Sequence, residues 1–303
     1  MATSRFIKDS GLTARMTLTM FLLGALFVGL VSLVIAYVNS AGGAVAVTAI
    51  AIGIAFWQWW SSDKVAMRAM RAREVTPEEA PELHGMIDRL CALADMPKPR
   101  VGVSDLPVAN AFATGRSPER AVVCVTTGIL QKLDAEELEA VLAHELSHVA
   151  HRDVLVMTIA SSAGIAAGLL MRFTQFGGMG RSRGNNNSAL PVALVVLLVS
   201  LFVYAVSFVM LRVLSRYREL CADRSGAYLT MKPAALASAL QKISGEAAAT
   251  PTKDLRTANS ASALCIVPAF AGGLSGLMAT HPPLQQRLEQ LARIQAELSR
   301  PSG

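Results

Sequence analysis

The sequence predicts a mainly helical membrane protein of the α+β kind, with about four transmembrane helices and a cytoplasmic domain built around a small β-sheet. Three observations lead there. Hydrophobic residues make up 52% of the 303 residues and mean hydropathy is +0.43, both high for a purely soluble protein. Long stretches of the chain carry no charge. Polar segments between them carry helix-cap signatures and short β-rich runs.

From Met16 to Ser62 no residue is charged, a stretch long enough for two membrane helices. They are predicted over Met16–Val38 and Gly42–Trp60, so that 1–62 forms the first membrane segment. A cleaved signal peptide competes, because Arg5, Lys8 and Arg15 form a basic leader. Its apolar region would run only about 7 to 15 residues, and here a second apolar span follows directly. Trp57, Trp59 and Trp60 suit an interfacial aromatic belt. Lys64, Arg68, Arg71 and Arg73 follow the second span and basic residues precede the first, so both ends face the cytoplasm. The net charge of +6 largely reflects these flanks, drawn to anionic headgroups, and excludes a nucleic-acid partner as its explanation. Cys91, Cys124, Cys221 and Cys265 show no C-x-x-C pairing, which argues neither a disulfide framework nor a cysteine metal site.

A cytoplasmic region over 63–153 comes next. Thr76-Pro77-Glu78-Glu79 reads as a capping box opening a helix that ends near Pro97. Val101–Val103 and Ala121–Thr126 read as strands, with Ala109–Ala113 as a third between them. Asp134-Ala135-Glu136-Glu137 repeats the capping signature and opens a helix to about Asp153. The second apolar pair lies within 154–214. Gly184–Leu211 is long enough to cross with some tilt, whereas Val154–Met171 spans, re-enters or packs as a buried hairpin partner. Arg172, Arg181 and Arg183 in their link run against the positive-inside pattern if that link lies on the far side. A second cytoplasmic region, 215–303, contains an Ala-, Gly-, Ser- and Thr-rich stretch over 246–280. It closes with a helix begun by Pro282-Pro283 and carrying Leu284, Leu288 and Leu291 at helical spacing.

His144-Glu145-Leu146-Ser147-His148 falls on the second capped helix, where imidazoles four apart project from one face and can meet one Zn²⁺. Glu145 lies about 100° round the helix, beside the ion, where a carboxylate can take a proton from a metal-bound water. A catalytic zinc usually has three protein ligands. His151 is about 10 Å along the axis from His144, too far for both to reach one ion. Val154 directly after Asp153 leaves no room for the longer motif with a third histidine. Glu219 and Asp223 share a helix face, and one can bind the ion while the other holds a ligand histidine by its second N–H. On spacing alone they read equally as a solvated acidic pair balanced by Arg216, Arg218 and Arg224.

Taken together, the two N-terminal spans, Asn110-Ala111-Phe112-Ala113, the H-E-x-x-H run with Asp153, a second apolar pair, Glu219-x-x-x-Asp223 and His281-Pro282-Pro283 resemble the HtpX family of membrane zinc proteases over nearly the whole chain. The CAAX prenyl proteases are similar around these motifs but have more spans than this chain can supply. The resemblance implies a zincin-like domain of the gluzincin type, with one Zn²⁺ per subunit on His144, His148 and Glu219, Glu145 activating water, and Asp223 and Asp153 supporting the ligands. It also implies a multi-pass protein of the bacterial inner membrane, facing the cytoplasm, that degrades misfolded membrane or cytoplasm-facing polypeptides in quality control.

Asn110, with Ala111 and Phe112, lies on the expected edge strand, whose free backbone groups could pair an extended substrate; its amide binds substrate or closes a turn. His281 either donates to the oxyanion of the tetrahedral intermediate or caps the following helix. Two other readings compete with a protease. A metal-binding scaffold without turnover finds no support, since base and ligands are all present. A metal transporter would carry histidines or carboxylates inside its spans, and the spans carry none.

Overall fold

The computed structural model describes residues 10–38, 41–153, 189–249 and 281–300. The described residues fall into two compact units, one drawn from Met1–Leu12, Ser61–Leu155 and Ser215–Gly303, the other from Thr13–Trp60 and Val156–Leu214. The architecture is mostly helical with a four-stranded mixed sheet.

In the apolar unit the predicted first two spans lie in helices α1 (Ser10–Val38) and α2 (Ala41–Ala69), and the described part of the fourth lies in α6 (Ala189–Thr230). Two helices among the described residues are long and apolar enough to cross a membrane: Ser10–Leu33, with mean hydropathy 2.2, and Leu197–Thr230, with 2.3. Little of either is buried. Phe21, Val28, Leu198 and Phe202 point large side chains outward, as a bilayer permits and water penalises. Leu30 and Val203 are buried against each other, which packs α1 on α6 within this unit. The expected four spans reduce here to two qualifying helices: α2 is not among them, and Val154–Met171 lies outside the described residues.

The polar unit is built on a sheet of order β1-β2-β4-β3, with β1 (Ala72–Glu74), β2 (Arg100–Ser104), β3 (Ala111–Thr114) and β4 (Val122–Thr126). Strand β4 pairs parallel with β2 and antiparallel with β3. Every residue of β4 is buried, because alternate side chains meet two different cores. Val123 and Val125 join the main core with α3 (Pro81–Ala94) and α5 (Ala135–Ala150). Val122 and Cys124 pack with Phe112 against Ala66 and Met70, which α2 and the residue just after it supply. Strand β3 is therefore an edge.

Strand β1 has no forecast counterpart, since its Arg73 and Glu74 read as flanking polar residues. The helix expected from Thr76 starts instead at Pro81. Glu79 does reach back to the Thr76 backbone N–H at 2.9 Å, but that bond closes a turn in which the amides of Glu79 and Ala80 donate to the Thr76 carbonyl. The Asp134 capping box forms in full, with the Glu137 amide donating to Asp134 at 2.9 Å and the Asp134 amide to Glu137 at 3.0 Å. Helix α5 ends at Ala150, short of Asp153, where Arg152 turns left-handed at φ 56°. After α4 (Thr127–Lys132) and α5, helix α6 enters this unit at Ser215, followed by α7 (Pro233–Ala249) and α8 (Leu284–Leu298).

Gly128, at the start of α4, lies against the segment leading into β3. A Cβ there would fall 2.1 Å from the Pro107 carbonyl oxygen, so Gly128→Ala is expected to cost about 1–3 kcal/mol, read as a lowered Tm; an unchanged Tm would contradict this packing. Glu137 is buried and accepts from Lys242 Nζ and Ser238 Oγ, both at 2.6 Å. Burial raises its carboxyl, but these partners win and lower it. A depressed carboxylate stabilises the fold above its unfolded value of about 4.3 and loses that contribution as pH falls through the folded value. Lys242→Met is thus expected to lower Tm at pH 7 and to converge on the parent in acid, the effect being modest because Lys242 is 42% exposed.

Candidate metal centre

Helix α5 carries His144, Glu145 and His148 inward, and all three are buried. Both imidazoles are oriented by a carboxylate behind them. His148 Nδ1 donates to Asp153 Oδ2 at 2.7 Å, and His144 Nδ1 lies 2.9 Å from Asp223 Oδ1. With the proton directed to Nδ1 in each ring, the Nε2 lone pairs are left to converge. They do so at 3.2 Å.

Glu219, on α6, completes the group. Its Oε1 lies 3.5 Å from His148 Nε2 and its Oε2 lies 3.6 Å from His144 Nε2. Three ligand atoms, one from each residue, lie within 4.8 Å of one another. Zinc bonded at about 2.0–2.1 Å in a tetrahedron spaces its ligand atoms about 3.3–3.4 Å apart, so the separations suit such an ion. Two facing imidazole lone pairs repel unless a cation lies between them.

The charges point the same way. Glu145, Asp153, Glu219 and Asp223 are four buried carboxylates, while Arg218 and Arg287 are two buried guanidiniums. With carboxylates ionised and imidazoles neutral, two negative charges remain, the complement of a dication. Burial opposes charge on His144, but the Asp223 and Glu219 carboxylates outweigh it and raise its pKa to about 10, so those carboxylates draw a positive charge to this spot, a proton that a metal ion would displace on binding. Burial likewise opposes ionisation of Glu219, yet the nearby imidazoles, His281 foremost, hold it well below the usual carboxylate range. Asp223 and Asp153 are also depressed against burial, each chiefly by its arginine. Glu145 behaves differently. Burial pushes it up in spite of His144 and His148, which makes it the carboxylate best suited to taking up a proton.

Glu145 also accepts a backbone hydrogen bond from Ala113 of β3. That bond shows which way the edge strand faces. In an antiparallel pair a residue's N–H and C=O point to the same side, alternating along the strand. The Asn110 carbonyl accepts from the Thr126 amide at 2.9 Å, so the even positions turn toward β4, and Ala111 and Ala113 turn their backbone outward beside Glu145. Asn110 and Phe112 are buried, Phe112 within the small core against Met70. Of the expected substrate residues, Ala111 alone turns its backbone away from β4, and like Asn110 and Phe112 it is buried.

His281 Nδ1 lies 3.0 Å from Glu219 Oε2, which brings it to the same group. His151 caps α5, its ring bonded to the Ser147 carbonyl at 2.8 Å, and takes no part. Arg287 and Arg218 stand out without any forecast. Arg287 forks Asp223 with Nε at 2.7 Å and a terminal nitrogen at 2.6 Å, and Arg218 Nε lies 2.9 Å from Asp153 Oδ2. Arg287 sits on the buried face of α8 with Leu291 and Ile294, and that break in an apolar stripe is the signal that could have found it.

The family model described as Peptidase family M48 matches residues 77–295, which include every residue of this group. The chain is 54% identical to Protease HtpX homolog 1 of Streptomyces coelicolor, covering 97% of this chain and 96% of that protein. The chain belongs to the HtpX proteases of peptidase family M48. It is a membrane metalloprotease. Protease HtpX homolog of Moorella thermoacetica is 48% identical, with 96% of each chain covered. Protease HtpX homolog 2 of Methanosarcina acetivorans is 46% identical over 96% of this chain and 98% of its own. The solved structure titled Crystal Structure of S. mikatae Ste24p matches at a TM-score of 0.49 and 18% identity, covering 91% of this chain and 63% of that one.

The HtpX motif positions are brought together by a close helix crossing. Gly226 of α6 lies so near α5 that a Cβ would fall 3.0 Å from the His144 amide nitrogen and 3.2 Å from its Cα. Gly226→Ala is expected to separate the helices by a few tenths of an ångström, to cost about 1–3 kcal/mol and to weaken zinc retention against a chelator. Parent-like retention would show that the crossing does not set the ligand spacing.

Proposed function

We propose that this M48 peptidase is a zinc-dependent endopeptidase of the cell membrane, with one ion held by His144, His148 and Glu219. The observation that carries the reading is the convergence of those three ligands beside a buried Glu145 and an outward-facing strand edge. When bound, the ion supplies Lewis acidity and a water acidified towards a pKa of about 7.

The protein's residues do the rest. Glu145 takes the proton from the attacking water and returns it to the leaving amine; its burial-raised carboxyl is matched to that exchange. Asp223 and Asp153 hold the ligand imidazoles in one tautomer. Ala111 and the Ala113 carbonyl pair with an extended substrate as an added strand, and the Asn110 side chain assists there. His281 donates to the developing oxyanion through Nε2 while Nδ1 faces Glu219. No covalent enzyme intermediate forms.

The setting follows the same reading. Four spans, in 1–62 and 154–214, hold the protein in the cell membrane, and the catalytic regions 63–153 and 215–303 face the cytoplasm, as the basic flanks Lys64, Arg68, Arg71 and Arg73 favour. Its substrates are misfolded membrane or cytoplasm-facing polypeptides, and its role is quality control.

Glu145→Gln preserves shape and leaves the three ligands untouched. The full-length variant in detergent is expected to retain zinc and to cleave an unfolded protein substrate at least about 10²-fold more slowly. Turnover close to the parent's would overturn the assignment of the base.

A further inference from the structure

Each ligand imidazole ends in a carboxylate, and each carboxylate ends in a buried arginine, but the two chains are built differently. Arg287, 2% exposed, comes from α8 and meets Asp223 with two parallel N–H···O bonds of 2.7 and 2.6 Å. A further terminal nitrogen lies 3.9 Å from Glu219 Oε2. Its planar fork fixes the Asp223 carboxylate plane, and therefore the direction from which Oδ1 meets His144 Nδ1. Arg218 comes from α6, next to Glu219. Its Nε lies 2.9 Å from Asp153 Oδ2 without making a hydrogen bond, and Asp153 Oδ1 has no hydrogen-bond partner either. Here the carboxylate is aimed by His148 itself, and the guanidinium supplies a positive charge close by.

We propose that Arg287 and Arg218 are positioning residues for the metal ligands, Arg287 acting on His144 through fork geometry and Arg218 acting on His148 through charge alone. The inference rests on the reading of His144, His148 and Glu219 as zinc ligands. Neither arginine touches substrate; each acts through a carboxylate. The difference between them decides how each tolerates lysine, which keeps the charge and loses the fork.

The test uses full-length protein in detergent, with Arg287→Lys, Arg287→Met, Arg218→Lys and Arg218→Met compared with the parent. Zinc affinity is measured by chelator competition, and the visible spectrum of the Co²⁺-loaded protein reports ligand geometry. Both Arg287 variants are expected to bind zinc about 10- to 100-fold more weakly and to alter the Co²⁺ bands. Arg218→Met is expected to weaken zinc similarly, and Arg218→Lys to restore affinity to within about 3-fold of the parent, well inside the 10- to 100-fold loss. Should Arg287→Met fail to fold, Arg287→Lys decides alone. Parent-like zinc affinity and Co²⁺ bands in Arg287→Lys, or no recovery in Arg218→Lys, would overturn the proposal. A parent that binds no zinc would overturn the ligand reading and this inference together.

Discussion

Like charges forced together in a dry place are the constraint around which the polar unit is arranged. Glu145, Asp153, Glu219 and Asp223 all leave water for one small region between α5, α6 and α8, and each buried carboxylate carries a desolvation cost of several kcal/mol unless it is answered. Arg218 and Arg287 answer two of them, at 2.9 Å and through a double hydrogen bond. The remaining excess is what a divalent ion would neutralise. Because the answering groups come from separate helices, the packing of α8 through Leu291 and Ile294 and the Gly226 crossing are also conditions for the electrostatics. Such a cluster specifies geometry more than it adds stability.

Much of this was legible in the sequence where chemistry is local. The capped helix through His144 and His148 follows from the Asp134 box and the four-residue spacing, both of which depend on neighbours along the chain. The exclusion of His151 required only the helical rise. The sheet was partly legible, since β2 and β4 announce themselves by β-branched runs. Strand β1 did not, because Ala72, Arg73 and Glu74 earn their place by pairing with Val103 and Gly102 and not by composition. The Thr76 box misled by being genuine. Its hydrogen bond forms, but Pro81 begins the helix five residues later.

What stayed hidden is long-range. Arg218 sits beside Glu219 in sequence and reads as a solvated counter-charge, yet its partner, Asp153, is contributed by another segment. Arg287 is separated from Asp223 by 64 positions, and nothing in its own neighbourhood marks it except that it interrupts an apolar stripe. Phe112 falls on the edge strand expected to pair an extended substrate. The alternation of β3 sends its ring to the opposite core, where Met70 and Cys124 bury it.

That alternation has a further consequence. The positions of β3 whose backbone turns away from β4 beside Glu145 are alanines, and the Ala111 methyl is buried in the main core, not turned toward a neighbouring strand. A guest strand would be held through main-chain amides and carbonyls, which every polypeptide shares. In a folded protein those groups are already committed to helices and sheets; in a damaged one they are idle. On the proposed reading, the enzyme would select by conformational state rather than by residue code, and foldedness itself would be a protein's protection against it.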